Sequence, residues 1–284
     1  PVDKFFIKIF LKHNFKKINK KFLKIKEKNK GKDYSQINKN SSWSDFKFKP
    51  VLITVEQKSK RAVNTINKLK ELNIKPHIFR GKTPSNLRDF LFENNTIMSP
   101  SRPVDISCFV SHLLAIQDSL NKFKNKYFLI MEDDVILFPD PKLIGLTNVI
   151  KNDDWEILQL EHCLPEAVFR NKNFYESGIL LQRWMNPFDY GMGAYIIKRS
   201  FAKFLIKYFF DSASGKINLN KCYQYHYPIV SDNIIFDLAQ TLVFTFPLAH
   251  QNLKFSSLLG YSSDTMSSRF SAVVLVKEIW ERYK

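Results

Sequence analysis

Cysteine, glycine, acidic residues and long apolar runs are all in short supply in this sequence. Three cysteines, Cys108, Cys163 and Cys222, stand far apart and form no Cys-x-x-Cys pair. That spacing excludes a disulfide framework and a zinc site built of cysteines alone, and a reducing compartment is expected. No apolar run reaches the ~18–20 residues of a membrane-spanning helix. The stretch Phe5-Phe6-Ile7-Lys8-Ile9-Phe10-Leu11 is broken by Lys8 and is too short for a secretion signal. A cytoplasmic protein, peripheral at a membrane, is the expected setting. Glycine is scarce at 8, whereas phenylalanine reaches 26, which is read first as core filling.

Acidic residues are outnumbered 27 to 44, for a net charge of +17. The excess is concentrated. Residues 1–32 carry 12 lysines against Asp3 and Glu27, a net charge of +10, which leaves +7 for the rest. Leu11, Phe15, Ile18, Phe22 and Ile25 recur at helical spacing between those lysines. An amphipathic helix over residues 1–30 follows, suited to an anionic membrane surface or to packing on its own domain. Residues 31–49 read as a polar linker. The division expected is 1–49, basic helix and linker, and 50–284, a catalytic domain.

From Pro50 onward strands and helices alternate. Val51–Val55 is a buried-strand run, residues 58–73 have helical periodicity, and Ile74–Phe79 is a second strand. This βαβ order predicts an α/β domain with a mostly parallel sheet. A helix is expected over 105–122 and further strands at 127–131, 155–160, 193–197 and 242–246. Helices are expected at 200–210, 233–240 and 271–283.

The most informative feature is Glu132-Asp133-Asp134, set directly after the apolar run Tyr127–Met131. Ligands of open α/β sheets bind at the carboxyl ends of strands. Three adjacent carboxylates repel one another unless a cation neutralises them. Alternate side chains of an extended chain share a face, so Glu132 and Asp134 point together and Asp133 away. Asp134 is the expected ligand of a divalent ion, with Glu132 beside it. Oxygen donors and a diphosphate suit Mn²⁺ or Mg²⁺. The alternative is a solvated acidic turn at a helix N-terminus.

The order of segments resembles glycosyltransferase family 25, which includes lipooligosaccharide and procollagen galactosyltransferases. The resemblance runs through Asp105-Ile106-Ser107-Cys108-Phe109-Val110-Ser111-His112, then Leu129-Ile130-Met131-Glu132-Asp133-Asp134. It continues through Trp155-Glu156-Ile157, Gly193–Ile197, Asp232 and Pro247–Gln251. It implies a GT-A-type fold, a UDP-sugar donor, a divalent cation and inversion at the anomeric carbon. It departs at the first strand, where Glu56-Gln57-Lys58-Ser59-Lys60-Arg61 replaces the family's usual turn, leaving Arg61 to serve the diphosphate.

Inverting transfer needs a leaving group neutralised by a cation, a base for the acceptor hydroxyl, and both substrates held in line. Asp134, Glu132 and His250 are the expected metal ligands. Arg61, Glu132, Asp133, His112 and Gln251 are expected at the donor. Asp232 is the expected base, with Asp189 in reserve, although Ser231 and Asp232 also suit a helix N-cap. His112 equally suits an apolar helix face as a core residue. Glu161 and His162 follow the strand at 155–160, near the acceptor by position. The partners expected are a nucleotide-sugar and a glycan, lipid-linked or protein acceptor, with no specific nucleic acid. The rival readings are a basic nucleic-acid- or membrane-binding protein, a catalytically silent relative, and a metal-dependent phosphatase or nucleotidyltransferase.

Overall fold

A computed structural model describes residues 43, 46–92, 101–138, 149–150, 154–186, 188–222, 229–253 and 263–283. The helix expected over residues 1–30, and most of the linker after it, lie outside the described residues.

The architecture is the expected α/β one. Seven strands form one sheet in the order β2-β1-β3-β7-β5-β8-β6. They are β1 (Phe48–Thr54), β2 (His77–Arg80), β3 (Tyr127–Glu132), β5 (Ile157–Gln159), β6 (Leu181–Arg183), β7 (Ala194–Lys198) and β8 (Thr241–Phe244). β1, β2, β3, β5 and β8 run one way, and β6 and β7 run against them. Two short strands, β4 (Val135–Leu137) and β9 (Ala249–Gln251), pair antiparallel as a separate ribbon.

Helices cover both faces of the sheet. They are α1 (Lys60–Glu71), α2 (Pro103–Lys122), α3 (Pro165–Glu176), α4 (Arg199–Phe209), α5 (Ser231–Leu238) and α6 (Ser263–Tyr283). The two-residue period of each strand divides its side chains between two cores. Val51 and Ile53 of β1, Phe128 and Ile130 of β3, and Tyr195 and Ile197 of β7 meet α2, α4 and α5. Leu52, Leu129, Met131, Ala194 and Ile196 face the other way, toward Leu69 of α1, Val168 of α3, and Ala272, Val276 and Trp280 of α6. This double burial explains the uninterrupted apolar runs.

Local chemistry sets the helix ends. Ser59 Oγ accepts from Ala62 N at 3.1 Å and starts α1. Beyond its C-terminus Asn73 takes a left-handed φ of 57°, a conformation asparagine tolerates. Proline occupies the first turn of α2 and of α3, where its missing N–H costs nothing. Val230, not Ser231 or Asp232, caps α5, so neither of those residues serves as the N-cap. Among the described residues no helix is long and apolar enough to cross a membrane.

Candidate active site

A cavity of about 270 Å³ opens at the carboxyl ends of the adjacent parallel strands β2, β1 and β3. Its wall takes Thr54 and Val55 from the end of β1, Gly81, Lys82 and Thr83 from the end of β2, and Glu132 from the end of β3. The first half of α2 adds Ser107, Cys108, Ser111 and His112. The β4–β9 ribbon and α6 close it with Gln251 and Arg269.

The three acidic residues of the turn have separate fates. Asp133 is 3% exposed. Its Oδ2 accepts from Thr54 Oγ1 at 2.6 Å, and its Oδ1 accepts from Arg61 Nε at 2.5 Å. Its carbonyl accepts from Thr65 Oγ1 at 2.7 Å. Both carboxylate oxygens are therefore spent on fixing Arg61 and the turn. Asp134 lies 3.8 Å from Arg61 Nη1 through Oδ2, whereas its Oδ1 is buried and has no hydrogen-bond partner. Burial, and after it the charge of Glu132, push the Asp134 carboxyl up to about 7. Glu132 Oε1 meets His112 Nε2 at 3.1 Å and accepts from Cys108 Sγ at 3.3 Å. Burial alone would raise Glu132, but the hydrogen bond and charge of His112 hold it down at about 2.

Glu161 stands behind this group, fully buried. Gly193 N donates to its Oε2 at 2.8 Å, while Oε1 has no partner. Burial first, then the charges of Asp134 and Glu132, push it up to about 8. A Cβ on Gly193 would overlap Glu161 Oε2 and Val135 Cγ2, so glycine is required for this approach. Two orphaned carboxylate oxygens, on Asp134 and Glu161, sit within one acidic cluster. Buried oxygens left unpaired in this way are the ordinary ligands of a hard divalent cation, and Asp134 is suited to hold one.

On the basic side, Arg61 is raised: burial lowers it, but Asp134 and Asp133 outweigh that. Arg269 Nη1 donates to Gln251 Oε1 at 2.8 Å, and both residues line the cavity. Lys82 lies over the Phe90 ring at 4.2 Å from its centroid. Arg61 and Arg269 stand by the acidic turn and Lys82 lines the same cavity, an arrangement that can hold an anion bridged by a cation.

Four expected residues stand elsewhere. His250 does not line the cavity. Gln251 faces it from β9, and the neighbouring position of a strand faces the opposite way. The His250 ring packs on Phe138 at 5.0 Å and its Nδ1 contacts the Gln251 carbonyl at 2.8 Å. Asp189 is fully buried, paired with Arg170, and accepts from Met185 N at 3.0 Å. Asp232 is buried, with Oδ2 accepting from Gly191 N at 3.2 Å and Oδ1 from Asn233 N at 3.1 Å. Neither aspartate lines the cavity. His162, expected near an acceptor, is locked between the Phe244 carbonyl and Asn171.

Sequence reasoning missed Lys82 and Arg269. Lys82 follows a strand end, and that position was a readable signal. Arg269 arrives on α6 from far along the chain, and no local pattern marks it.

The family model described as poxvirus P35 protein matches residues 20–222. The chain belongs to that family. A search of curated proteins returned no match. Among solved structures, a protein from STIV aligns at 12% identity over 75% of this chain and 87% of its own, with a TM-score of 0.42. The galactosyltransferase LgtC, in complex with donor and acceptor sugar analogs, aligns at 11% identity over 79% and 84%, with a TM-score of 0.37. A putative glucose-1-phosphate thymidylyltransferase from Bacillus anthracis aligns at 11% identity over 69% and 85%, with a TM-score of 0.34. All three fall below 0.5, and the reading of function rests on the chain's own residues.

Proposed function

We propose that the chain is a metal-dependent glycosyltransferase, moving galactose or a related hexose from a UDP-sugar to a hydroxyl of a glycan, lipid-linked glycan or protein. The observation that carries this reading is the cavity at the strand ends. There an acidic turn with an orphaned Asp134 oxygen faces Arg61, Lys82 and Arg269. The resemblance to glycosyltransferase family 25 in the same segments supports it.

On this reading Asp134, with Glu132 and the free oxygen of Glu161 near it, holds Mn²⁺ or Mg²⁺. Bound there, the ion supplies Lewis-acid neutralisation of a departing nucleoside diphosphate. Arg61 is preset by Asp133, so its guanidinium is ordered before a ligand arrives. Arg269 and Lys82 add positive charge where negative charge grows as the glycosidic bond breaks. His112 fixes Glu132 and keeps it ionised. Asp232 and Asp189 have their oxygens committed and do not line the cavity, so we assign neither as the base.

That last observation favours a second reading, a module that binds a nucleotide-sugar without transferring it. Release of UDP from UDP-sugars, followed with and without Mn²⁺, separates the two. An enzyme releases UDP in a Mn²⁺-dependent way, and Asp134→Asn lowers the rate at least 100-fold, on the scale of losing one strong electrostatic contact. Mn²⁺-dependent binding without release would establish the silent module instead.

A further inference from the structure

Cys108 and His112 sit one helical turn apart on α2, an i, i+4 pair on a single face. The end of β3 brings Glu132 against both. Their donor atoms, Sγ, Nε2 and a carboxylate oxygen, all lie within 4.8 Å of one another. The separations are informative. A tetrahedral ion with Zn–S of about 2.3 Å and Zn–N and Zn–O of about 2.0 Å spaces S from O by about 3.5 Å and N from O by about 3.3 Å. The observed values are 3.3 Å for Cys108 Sγ to Glu132 Oε1 and 3.1 Å for His112 Nε2 to the same oxygen. These two separations are within a few tenths of an ångström of those an ion would set.

The other histidine nitrogen is also prepared. His112 Nδ1 lies 3.1 Å from the Tyr195 hydroxyl. A metal-ligating histidine characteristically has its second nitrogen held by a hydrogen-bond partner, which fixes the ring. All three residues line the cavity, which gives an ion held by them access to a further ligand. Three protein ligands with one open position is the pattern of zinc sites that take water or a ligand oxygen.

We infer that Cys108, His112 and Glu132 form a site for a zinc-class divalent ion, which borders the all-oxygen site proposed at Asp134 through Glu132 and differs from it in chemistry. Sulfur and imidazole donors select zinc or cobalt over magnesium and manganese. Binding balances as an exchange. The Cys108 thiol proton leaves to solvent and a sulfur–metal bond forms. The His112 Nε2 proton also leaves to solvent as the nitrogen–metal bond forms, and the Nδ1–H is held by the Tyr195 oxygen. The inference stands whether or not the chain transfers sugar.

Cobalt is the probe, because a thiolate–Co²⁺ bond gives a near-ultraviolet charge-transfer band. The full chain, freed of metal with a chelator, is titrated with Co²⁺. The expected result is a band that saturates at one equivalent, is displaced by Zn²⁺ and resists excess Mg²⁺. It should vanish in Cys108→Ser and persist in Asp134→Asn. No band in the wild type, or an undiminished band in Cys108→Ser, overturns the inference. A measurement on the wild type alone guards against a variant that fails to fold. One equivalent of Zn²⁺ should slow alkylation of Cys108 at least tenfold, read by peptide mapping against the buried Cys163 and Cys222. An unchanged rate at Cys108 overturns the inference.

Discussion

Asp133 gives both carboxylate oxygens to Thr54 and Arg61, while its neighbour Asp134 keeps one buried oxygen without a partner. Substitution should therefore act in opposite directions at the two positions. Asp133→Asn weakens charge-assisted hydrogen bonds and should lower stability by ~2 kcal/mol in urea unfolding. Asp134 has a folded-state value raised from 3.8 to about 7. Between those values the folded chain holds a proton that the unfolded chain has lost, so metal-free stability falls as pH rises through that window. Asp134→Asn should remove this fall and leave the metal-free chain as stable as the wild type, or more so, at pH 8. His162 supplies a pH dependence of the other sign. Burial lowers it from 6.5 to about 4. Its Nε2–H donates to the Phe244 carbonyl and its Nδ1 accepts from Asn171 Nδ2 at 3.1 Å, which leaves no place for a second proton. Its contribution is complete above pH 6.5 and is lost as pH falls toward 4, at ~1.4 kcal/mol per unit within the window. Asn171→Asp places an acceptor opposite Nδ1 and should flatten that slope in unfolding curves measured from pH 4 to 7. At this scale the sequence marked the acidic triplet after an apolar strand, and all three residues line the cavity, Asp133 and Asp134 from a turn beyond the strand end, where alternation no longer applies. It could not tell which of His250 and Gln251 lines the cavity, since that depends on the β4–β9 register, and the cavity takes Gln251.

Among the elements, the long apolar runs were legible and the short pieces were not. β1, β3, β7, α1 and α2 stand within a few residues of their expected places, because burial on both faces writes an uninterrupted pattern. α3, β4, β6 and β9 were not foreseen. Three are three-residue strands, too short for any period to register, and α3 has few of its residues buried. Yet β4 and β9 make the turn after β3 functional. Asn252 N donates to the Asp134 carbonyl at 2.5 Å, tying the acidic turn to the end of β9. Gly193 is the other hinge of this assembly. Its N–H holds Glu161 and its carbonyl accepts from Glu132 N at 2.8 Å. Gly193→Ala forces overlap with Glu161 and Val135, and should cost about 1–3 kcal/mol of stability, read as a lowered melting temperature. A Gly193→Ala chain that melts with the wild type would show that the strand end relaxes freely and that glycine is not required there.

For the whole molecule, the charge of +17 suggested a nucleic-acid or membrane partner, yet +10 of it falls in residues 1–32. The described domain places Arg61, Lys82 and Arg269 in the lining of the cavity that holds the acidic turn. Alternation of strands and helices made the α/β class readable from the sequence. The convergence of Lys82 and Arg269 was not readable, because long-range topology alone brings β2, β3 and α6 together. The central claim, that this cavity binds a nucleotide through a cation on Asp134, is tested most directly by thermal unfolding with UDP, GDP and CMP, each with and without Mn²⁺. At about 100 times its dissociation constant a ligand adds ~2.7 kcal/mol to the folded state, a shift of several degrees. The account predicts such a shift for UDP, dependent on Mn²⁺ and absent in Asp134→Asn. No shift with any nucleotide at saturating concentrations, or a shift that Asp134→Asn leaves intact, would contradict it.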